Sequence, residues 1–271
     1  MKSQPGPLPA KAELHAPFYT RYGLARTGDR DAPLTIAPYP AICRHGGLRA
    51  TIVAAAIDIV GSLFTRGVAG TDILYTTDLS ARMPRSGTPA RLSTRGRVLR
   101  SGRTGVTTGV ELFDGDALWA YGETTFTRQP RAADANVSQA ELALPQNFAS
   151  HPLARPLEEE VGVTVLAADR GEVELALRPP VLNKEGTLQG ALVALVVERA
   201  AESLAESRLG APQRVAELDL RYLSTAKLGP VRSRASFVGE PEMGMLRVEL
   251  RDAGRGDRLT ATALLRVVPA R

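Results

Sequence analysis

The stretch from Asn183 to Glu198 has the clearest chemical character in the chain. It opens with turn-forming residues, passes Gly190 and enters an apolar helix that carries one carboxylate, Glu198, in its second or third turn. An ionisable group in apolar surroundings is a candidate functional group. A weaker copy of the stretch occurs upstream as His45-Gly-Gly-Leu-Arg-Ala-Thr-Ile-Val53. The two copies together indicate a duplicated unit.

Other reactive side chains are few. Cys43 is the single cysteine, so no intrachain disulfide can form, and this usage fits a reducing cytosol. As a nucleophile Cys43 would need a base and an orienting group, and the nearby His45 does not supply that geometry by sequence proximity alone. The three histidines and one cysteine show no metal-ligand spacing. We therefore expect neither a metal site nor a cofactor.

The composition is that of a globular protein of 271 residues, with 44% hydrophobic and 23% charged residues. The net charge of +5 comes from arginines scattered along the chain, and only 5% of residues are aromatic. A nucleic-acid binder would more often cluster its cationic side chains, so we expect no nucleic-acid partner. The Pro-rich N-terminus does not resemble a signal peptide, and no apolar run approaches the ~20 residues that span a bilayer. These features predict a cytoplasmic protein.

The order of the predicted elements occurs twice. The first unit has short strand segments, a helix from Gly46 to about Arg66, and four strands at 73–81, 90–100, 104–113 and 118–128. The second has paired strands at 161–166 and 172–177, a helix from Gly190 to about Leu209, and strands at 215–223, 231–238, 245–251 and 259–267. Strand alternation and turn residues between the runs support these assignments.

The chain is therefore predicted to be a tandem repeat. Aligning His45-Gly46 with Gln189-Gly190 gives an offset of 144 residues. The expected divisions are an N-terminal arm at 1–17, a first unit at 18–130, a linker at 131–156 and a second unit at 157–271. A helix that is apolar on nearly all sides buries its surface best when an antiparallel sheet curls around it. The expected fold class is α+β, with one long helix wrapped by a curved antiparallel sheet in each half.

Two motifs in the second half resemble those of the hotdog-fold thioesterases. Asn183-Lys-Glu-Gly-Thr-Leu-Gln-Gly190 is similar to the Asn-x-x-Gly-x-x-His-Gly-Gly motif of PaaI-type and mammalian thioesterase-superfamily members. Leu218-Asp-Leu-Arg-Tyr-Leu-Ser-Thr-Ala-Lys-Leu-Gly229 is similar to the strand that follows the helix in those enzymes. With the repeat included, the resemblance covers residues 30 to 270 and implies a tandem, or double, hotdog.

The resemblance implies acyl-CoA thioesterase activity and a role for each matching residue. Gly190 would present its N–H to the thioester carbonyl, where a helix start can stabilise an oxyanion. Glu198 would act as general base or nucleophile, and Ser224 would position the water or that carboxylate. Asn183 would orient the motif. The substrate would be an acyl-CoA or acyl-carrier-protein thioester, and association of double hotdogs into a homo-oligomer stays open.

The sequence departs from the family pattern at several positions. Gln189 stands at the usual His, and Ala191 at the second Gly. In the first half His45, Gly46 and Gly47 are intact, but the carboxylate position falls on Ala54. Asp58, four residues later on the same helix face, is the nearest substitute.

In the family, the glycine motif of one hotdog works with the carboxylate of its partner, which predicts two unequal pockets. The pocket expected to be catalytic combines His45, Gly46 and Gly47 with Glu198 and Ser224. The second-site or substrate-binding pocket combines Asn183, Gln189 and Gly190 with Asp58. On this hypothesis Glu198→Ala would abolish hydrolysis, whereas Asp58→Ala would leave most of it.

Simpler interpretations accompany each of these residues. Glu198, Glu202 and Glu206 recur every four residues, as on a solvated helix face. His45 could merely begin a helix, Asp58 could interrupt its exposed side, and Ser224 could cap a turn.

A hotdog that binds acyl thioesters without hydrolysing them is the main functional alternative. A MaoC-like hydratase is less well supported, because its Asp and His pair has no counterpart. The acyl chain itself cannot be inferred from the sequence.

Overall fold

Two long helices of equal length form the centre of the fold. The computed structural model describes residues 21–29, 31–70, 72–130, 152–183 and 185–270, and the expected N-terminal arm and most of the expected linker lie outside these ranges. Helix α1 spans Ala50–Ala69, a short α2 spans Leu157–Val161, and α3 spans Gly190–Leu209. In α3 every residue from Leu192 to Ala205 is buried, as its apolar sequence predicts.

The strands of the first half alternate with turns and flank α1. They are β1 Leu24–Arg26, β2 Leu34–Ile36, β3 Cys43–Arg44, β4 Gly47–Leu48, β5 Ile73–Arg82, β6 Leu92–Ser101, β7 Gly105–Asp114 and β8 Ala117–Gln129. The strands of the second half are β9 Val163–Ala167, β10 Glu172–Leu175, β11 Gln213–Tyr222, β12 Val231–Phe237, β13 Met245–Asp252 and β14 Arg258–Pro269. The predicted strands in both halves are thereby confirmed, with ends that differ by one or two residues.

Twelve of these strands form one continuous sheet with a mirrored order. The order is β1-β2-β6-β7-β8-β5-β11-β14-β13-β12-β10-β9, so each half contributes the same arrangement of six strands. The halves meet where β5 pairs antiparallel with β11, with Leu79 opposite Leu220 and Asp78 opposite Arg221. This pairing removes one exposed sheet edge from each half.

Each helix packs on the sheet of its own half, and the two helices also contact each other. Helix α1 lies against β5, β6, β7 and β8, and α3 lies against β10 to β14. The side chains of Ile52, Ile57, Leu195 and Val196 are fully buried in a common apolar core. The predicted α+β fold class, with one helix on a large antiparallel sheet in each half, is confirmed.

The start of α1 differs from the prediction. His45 and Gly46 both have left-handed backbone, with φ of 49° and 74°, and form the two-residue turn between β3 and β4. Such paired left-handed residues belong to tight hairpins, so the helix cannot begin there. It begins four residues later, with Arg49 at the N-cap position that Gln189 occupies in α3.

This shift corrects the alignment of the two halves. The helices begin at Ala50 and Gly190, which gives an offset of 140 residues instead of 144. Counted from these starts, Asp58 and Glu198 are both the ninth helical residue. The position in α1 that matches Glu198 is therefore Asp58, and not Ala54 as the sequence comparison indicated.

We expect Gly122→Ala to lower the free energy of unfolding by about 1–3 kcal/mol, the usual cost of overpacking a core. An added Cβ at Gly122 in β8 would overlap the Ser80 carbonyl oxygen and the Ile57 side chain of α1. Gly67→Ala is the matched control, because a Cβ there meets no atom within 4 Å and alanine favours the helix. Urea denaturation of both variants tests this, and equal effects would contradict the packing argument.

Candidate active site

The start of α1 contacts the ninth residue of α3, and Tyr222 lies near both the start of α3 and the ninth residue of α1. We call the first contact the α1 junction, formed by Ala50, Thr51 and Glu198. We call the second the α3 junction, which contains Gly190, Ala191, Asp58, Thr76 and Tyr222. Both follow from the β5–β11 pairing, since it sets the two helices side by side.

In the α1 junction the Glu198 carboxylate caps the helix start. Its Oε1 accepts the N–H of Ala50 at 3.0 Å, and its Oε2 accepts the N–H of Thr51 at 3.0 Å and the Thr51 hydroxyl. Glu198 is 2% exposed and Thr51 is fully buried. A carboxylate on unpaired helix N–H groups also interacts favourably with the helix dipole. The two foremost N–H groups of α1 are thus already occupied.

Three arginines and four glutamates form a largely buried ionic cluster around this cap. Arg44 bridges three carboxylates, with its Nη1 3.2 Å from Glu158, its Nε 3.1 Å from Glu202 and its Nη2 3.0 Å from Glu206. The cluster, which we call the ionic cluster, comprises Arg44, Arg49, Arg199, Glu158, Glu198, Glu202 and Glu206. It joins α2 and the β3–β4 hairpin to α3.

The remaining contacts complete the ionic cluster. Arg49 is 2% exposed and forms an ion pair with Glu158. The Nη1 atom of Arg199 lies 3.4 Å from Oε2 of Glu202. His45 Nε2 lies 2.7 Å from the Glu206 carboxylate at the more exposed edge. Buried charges are stable only when they are paired in this way.

Four carboxylates face three guanidinium groups in the ionic cluster, so one negative charge is in excess. Burial, and then the neighbouring Glu198 carboxylate, raise the pKa of Glu202 to about 8, despite the opposing effect of the nearby arginines. A protonated Glu202 at neutral pH leaves three carboxylates for three arginines. Burial is therefore the main cause of the raised pKa of Glu202, and the excess of negative charge adds to it.

The α3 junction has a different arrangement. The Asp58 carboxylate accepts the Thr76 hydroxyl at 2.7 Å, and the Tyr222 hydroxyl donates to the Gly190 carbonyl at 3.1 Å. Burial raises the pKa of Asp58, and the hydrogen bond from Thr76 partly offsets that rise. Burial, and then the nearby Asp58 carboxylate, also raise the pKa of Tyr222 well above its usual value.

The helix start in the α3 junction is uncapped and accessible. Within the ranges that the structure describes, no acceptor lies within hydrogen-bonding distance of the N–H of Gly190 or Ala191. Gly190, Ala191, Asp58, Thr76 and Tyr222 are all only half-buried. A carboxyl group with a raised pKa beside free helix N–H groups is a combination suited to acid–base chemistry on a carbonyl substrate.

The residues predicted for the first pocket do not all meet. Glu198 contacts Ala50 and Thr51 at the start of α1, whereas Gly46 and Gly47 lie in the preceding hairpin. Ser224 follows β11, and its hydroxyl donates to the Leu259 carbonyl at 3.3 Å. Among the described residues, no hydrogen bond joins Ser224 to Glu198.

The residues predicted for the second pocket gather around α3. The Asn183 side chain accepts the N–H groups of Glu185 at 3.0 Å and Thr187 at 3.1 Å, which shapes the loop into the helix. The Gln189 amide donates to the carbonyls of Pro180 at 3.2 Å and Leu182 at 3.1 Å. Both side chains therefore hold the backbone that presents Gly190.

Thr76 and Tyr222 were not singled out from the sequence. A bulge in the β5–β8 ladder falls between Thr76 and Asp78, where one residue is left unpaired. Bulges commonly re-aim side chains next to functional sites. Tyr222 lies within the quoted Leu218–Gly229 motif, so that motif contained the signal, but the sequence offered no means of placing its ring beside Gly190.

A cavity of about 450 Å³ lies beside the β3–β4 hairpin. Its walls come from the 38–40 segment, the hairpin and Thr88, and they include Cys43, Arg44 and His45. Burial raises the pKa of the Cys43 thiol. A protonated thiol is a poor nucleophile, so the raised pKa argues against a catalytic role for Cys43.

Two general features concern the described part of the chain. It contains no group of three or more His, Cys, Asp or Glu side chains placed to hold a metal ion. Among its helices, none combines the length and the apolar character that crossing a membrane requires.

Solved structures similar to this chain include proteins named as thioesterases and one named for its hot dog fold. A provisionally named thioesterase II from Thermobifida fusca YX is 18% identical, covers 95% of this chain and 98% of its own, and has a TM-score of 0.62. A conserved protein of unknown function with a hot dog fold from Alicyclobacillus acidocaldarius is 12% identical, with 94% and 98% covered and a TM-score of 0.61. An acyl-ACP thioesterase from Bacteroides thetaiotaomicron VPI-5482 is 11% identical, with 86% and 96% covered and a TM-score of 0.59.

No protein-family model and no curated protein matches the sequence. At these identities the structural similarities establish the fold. The chain is a double hotdog, as the sequence motifs implied.

The pKa of Glu202 predicts a specific pH dependence of stability. Between pH ~4.5 and pH ~8 the folded protein holds a proton on Glu202 that the unfolded chain releases, so this group's stabilisation is lost as pH rises, by up to about 1.4 kcal/mol per pH unit. Glu202→Gln mimics the protonated form at every pH. We therefore expect the variant to gain stability relative to wild type as pH rises from 5 to 8.

Urea denaturation at several pH values measures this difference. Glu174→Gln, which removes a surface carboxylate paired with Arg232 at 2.7 Å, controls for the loss of one negative charge. A difference between Glu202→Gln and wild type that stays constant across pH would refute the assignment.

Proposed function

We propose that this protein is a thioester hydrolase whose active site is the α3 junction, with Asp58 as general base. The observation that carries this proposal is the contrast between the two helix starts. The N–H groups of Gly190 and Ala191 have no hydrogen-bond partner among the described residues and belong to half-buried residues, whereas those of Ala50 and Thr51 belong to buried residues and are bound by Glu198. An oxyanion needs donors that are not already satisfied.

In the proposed reaction the thioester carbonyl oxygen accepts the N–H groups of Gly190 and Ala191. The partial positive charge of the α3 start stabilises the negative charge that develops on this oxygen. Asp58 removes a proton from a water molecule, whose oxygen attacks the carbonyl carbon. The resulting tetrahedral intermediate collapses with cleavage of the C–S bond. The thiolate leaves and takes up the proton from Asp58, so the products are a carboxylic acid and a thiol.

The raised pKa of Asp58 supports its role as the base. A carboxylate with a pKa above the usual value is a stronger base. In this proposal Thr76 supplies the positioning hydroxyl that the family resemblance assigned to Ser224. Asn183 and Gln189 keep the role of shaping the helix start that presents Gly190.

Glu198 acts in this proposal as a structural cap. Its two oxygens are held by Ala50 and Thr51, and its surroundings exclude water. This assignment replaces the sequence-based preference for Glu198 over Asp58. The acyl group would be carried by CoA or by acyl carrier protein, since both present a phosphopantetheine thioester.

We expect Asp58→Asn to lower kcat by about 10²-fold or more, the usual contribution of a general base. Glu198→Gln should keep most of kcat but lower the free energy of unfolding by about 1–3 kcal/mol, because it weakens buried hydrogen bonds to a charged group. Thiol release from a panel of acyl-CoA thioesters measures activity, and urea denaturation measures stability.

Loss of activity in Glu198→Gln with retention in Asp58→Asn would reverse the assignment. Binding of acyl-CoA by wild type without thiol release would select a binding protein instead.

Thr76→Val should shift the pH dependence of hydrolysis. The Thr76 hydrogen bond lowers the pKa of Asp58, so its removal raises that pKa. The acid limb of the kcat/KM profile should therefore move to higher pH, because the base stays protonated over a wider range. Thr107→Val, which removes a hydroxyl paired with Thr125 at 3.1 Å, is the matched control. An unchanged limb in Thr76→Val would contradict the proposed role of Asp58.

A further inference from the structure

A surface that is both apolar and basic lies beside the α3 junction. It is formed by the loop that follows β11 and by the turn between β13 and β14. We call it the carrier surface, and it comprises Leu223, Lys227, Leu228, Arg255 and Arg258. All five side chains are exposed.

Backbone contacts fix this surface next to the proposed active site. The N–H of Leu188, two residues before Gly190, donates to the Ala226 carbonyl at 3.0 Å. Leu223 directly follows Tyr222, whose hydroxyl contacts the Gly190 carbonyl. Anything bound on the carrier surface is therefore close to the start of α3.

The loop is held rigidly by one buried carboxylate. Asp252 is fully buried and accepts three successive N–H groups, from Lys227 at 2.8 Å, Leu228 at 3.1 Å and Gly229 at 2.7 Å. Burial would raise the pKa of Asp252, but these hydrogen bonds hold it below its usual value. The turn packs closely on the loop as well, since Ala253 donates to the Pro230 carbonyl at 3.0 Å.

The side chains on this rigid frame face solvent. Leu228 is 65% exposed and Leu223 is 55% exposed, which is unusual for large apolar residues on an ordered loop. Among the described residues, no carboxylate forms an ion pair with Lys227, Arg255 or Arg258, and the adjacent Asp257 is paired with Arg251. A preorganised loop that presents apolar area and three exposed cations without ion pairs matches a ligand with an apolar part and several phosphates.

We propose that the carrier surface binds the nucleotide end of CoA, which is ADP with a further phosphate at the 3′ position. Its three phosphate groups match the three cations, and the exposed leucines offer an apolar contact for the adenine ring. The surface is limited to one loop and one turn, which suits a nucleotide better than a folded carrier protein. This inference rests on the proposed function and identifies CoA as the carrier of the acyl group.

The triple variant Lys227→Ala/Arg255→Ala/Arg258→Ala tests the proposal. Its KM for acyl-CoA should rise about tenfold, equivalent to about 1.4 kcal/mol, while kcat changes little. Its KM for the same acyl group on pantetheine, which lacks the nucleotide, should stay at the wild-type value. Arg97→Ala/Arg100→Ala removes two exposed arginines from β6 in the other half and is the matched control.

Three results would overturn the carrier surface. They are an unchanged KM for acyl-CoA, an equal change for acyl-CoA and acyl-pantetheine, and an effect confined to acyl-carrier-protein thioesters.

If wild type hydrolyses no thioester, the proposed function fails, and calorimetric titration with adenosine 3′,5′-bisphosphate tests the surface independently. Binding to wild type that is weakened about tenfold in the triple variant would support the surface, and equal or absent binding would overturn it.

Discussion

The antiparallel pairing of β5 with β11 is the constraint on which the rest of the structure depends. It makes one sheet of twelve strands and places α1 beside α3. Two ion pairs on the outer face reinforce its register. The Nη2 atom of Arg82 lies 2.9 Å from Oδ1 of Asp219, and the Nε atom of Arg221 lies 2.9 Å from Oδ1 of Asp78. A slip by one residue would turn the buried faces of both strands outward, so the register is strongly specified. With the helices fixed in this way, the start of α1 contacts the ninth residue of α3.

The two junctions occupy equivalent positions in the two halves, and their carboxylates differ in length by one methylene group. Glu198 is long enough to reach the N–H groups of Ala50 and Thr51, and it closes the α1 start. Asp58 is shorter, hydrogen bonds to Thr76 instead, and leaves the α3 start uncapped. The longer carboxylate, that of Glu198, therefore serves as a structural cap of α1. Among the described residues Asp58 forms no hydrogen bond to the N–H of Gly190 or Ala191, and in the proposed reaction these N–H groups bind the substrate carbonyl.

The fold could be predicted from the sequence in most of its parts, because strand alternation, turn residues and the apolar character of α3 are local properties. The site could be predicted less well. His45 and Gly46 resembled a helix start, yet their backbone forms a hairpin turn, and this error moved the alignment by four residues. The stripe of Glu198, Glu202 and Glu206 has the spacing of a solvated face. Glu198 and Glu202 are nevertheless buried and Glu206 is half-buried, because the start of α1, α2 and the β3–β4 hairpin cover them, and none of these contacts leaves a local signal.

The α1 junction and the ionic cluster around it hold the two long helices together. This explains how one chain can keep the start of α3 uncapped. Unpaired N–H groups at the start of a helix weaken it by about 1 kcal/mol relative to a capped start. Fusing two hotdogs into one chain lets the halves diverge, so the α1 junction can hold the helices together while the α3 junction stays open. Two identical subunits could not divide these tasks, because any change that closed one junction would close the other. The asymmetry of the junctions is thus a consequence of the tandem arrangement, and it concentrates the proposed chemistry at Gly190, Asp58 and Thr76.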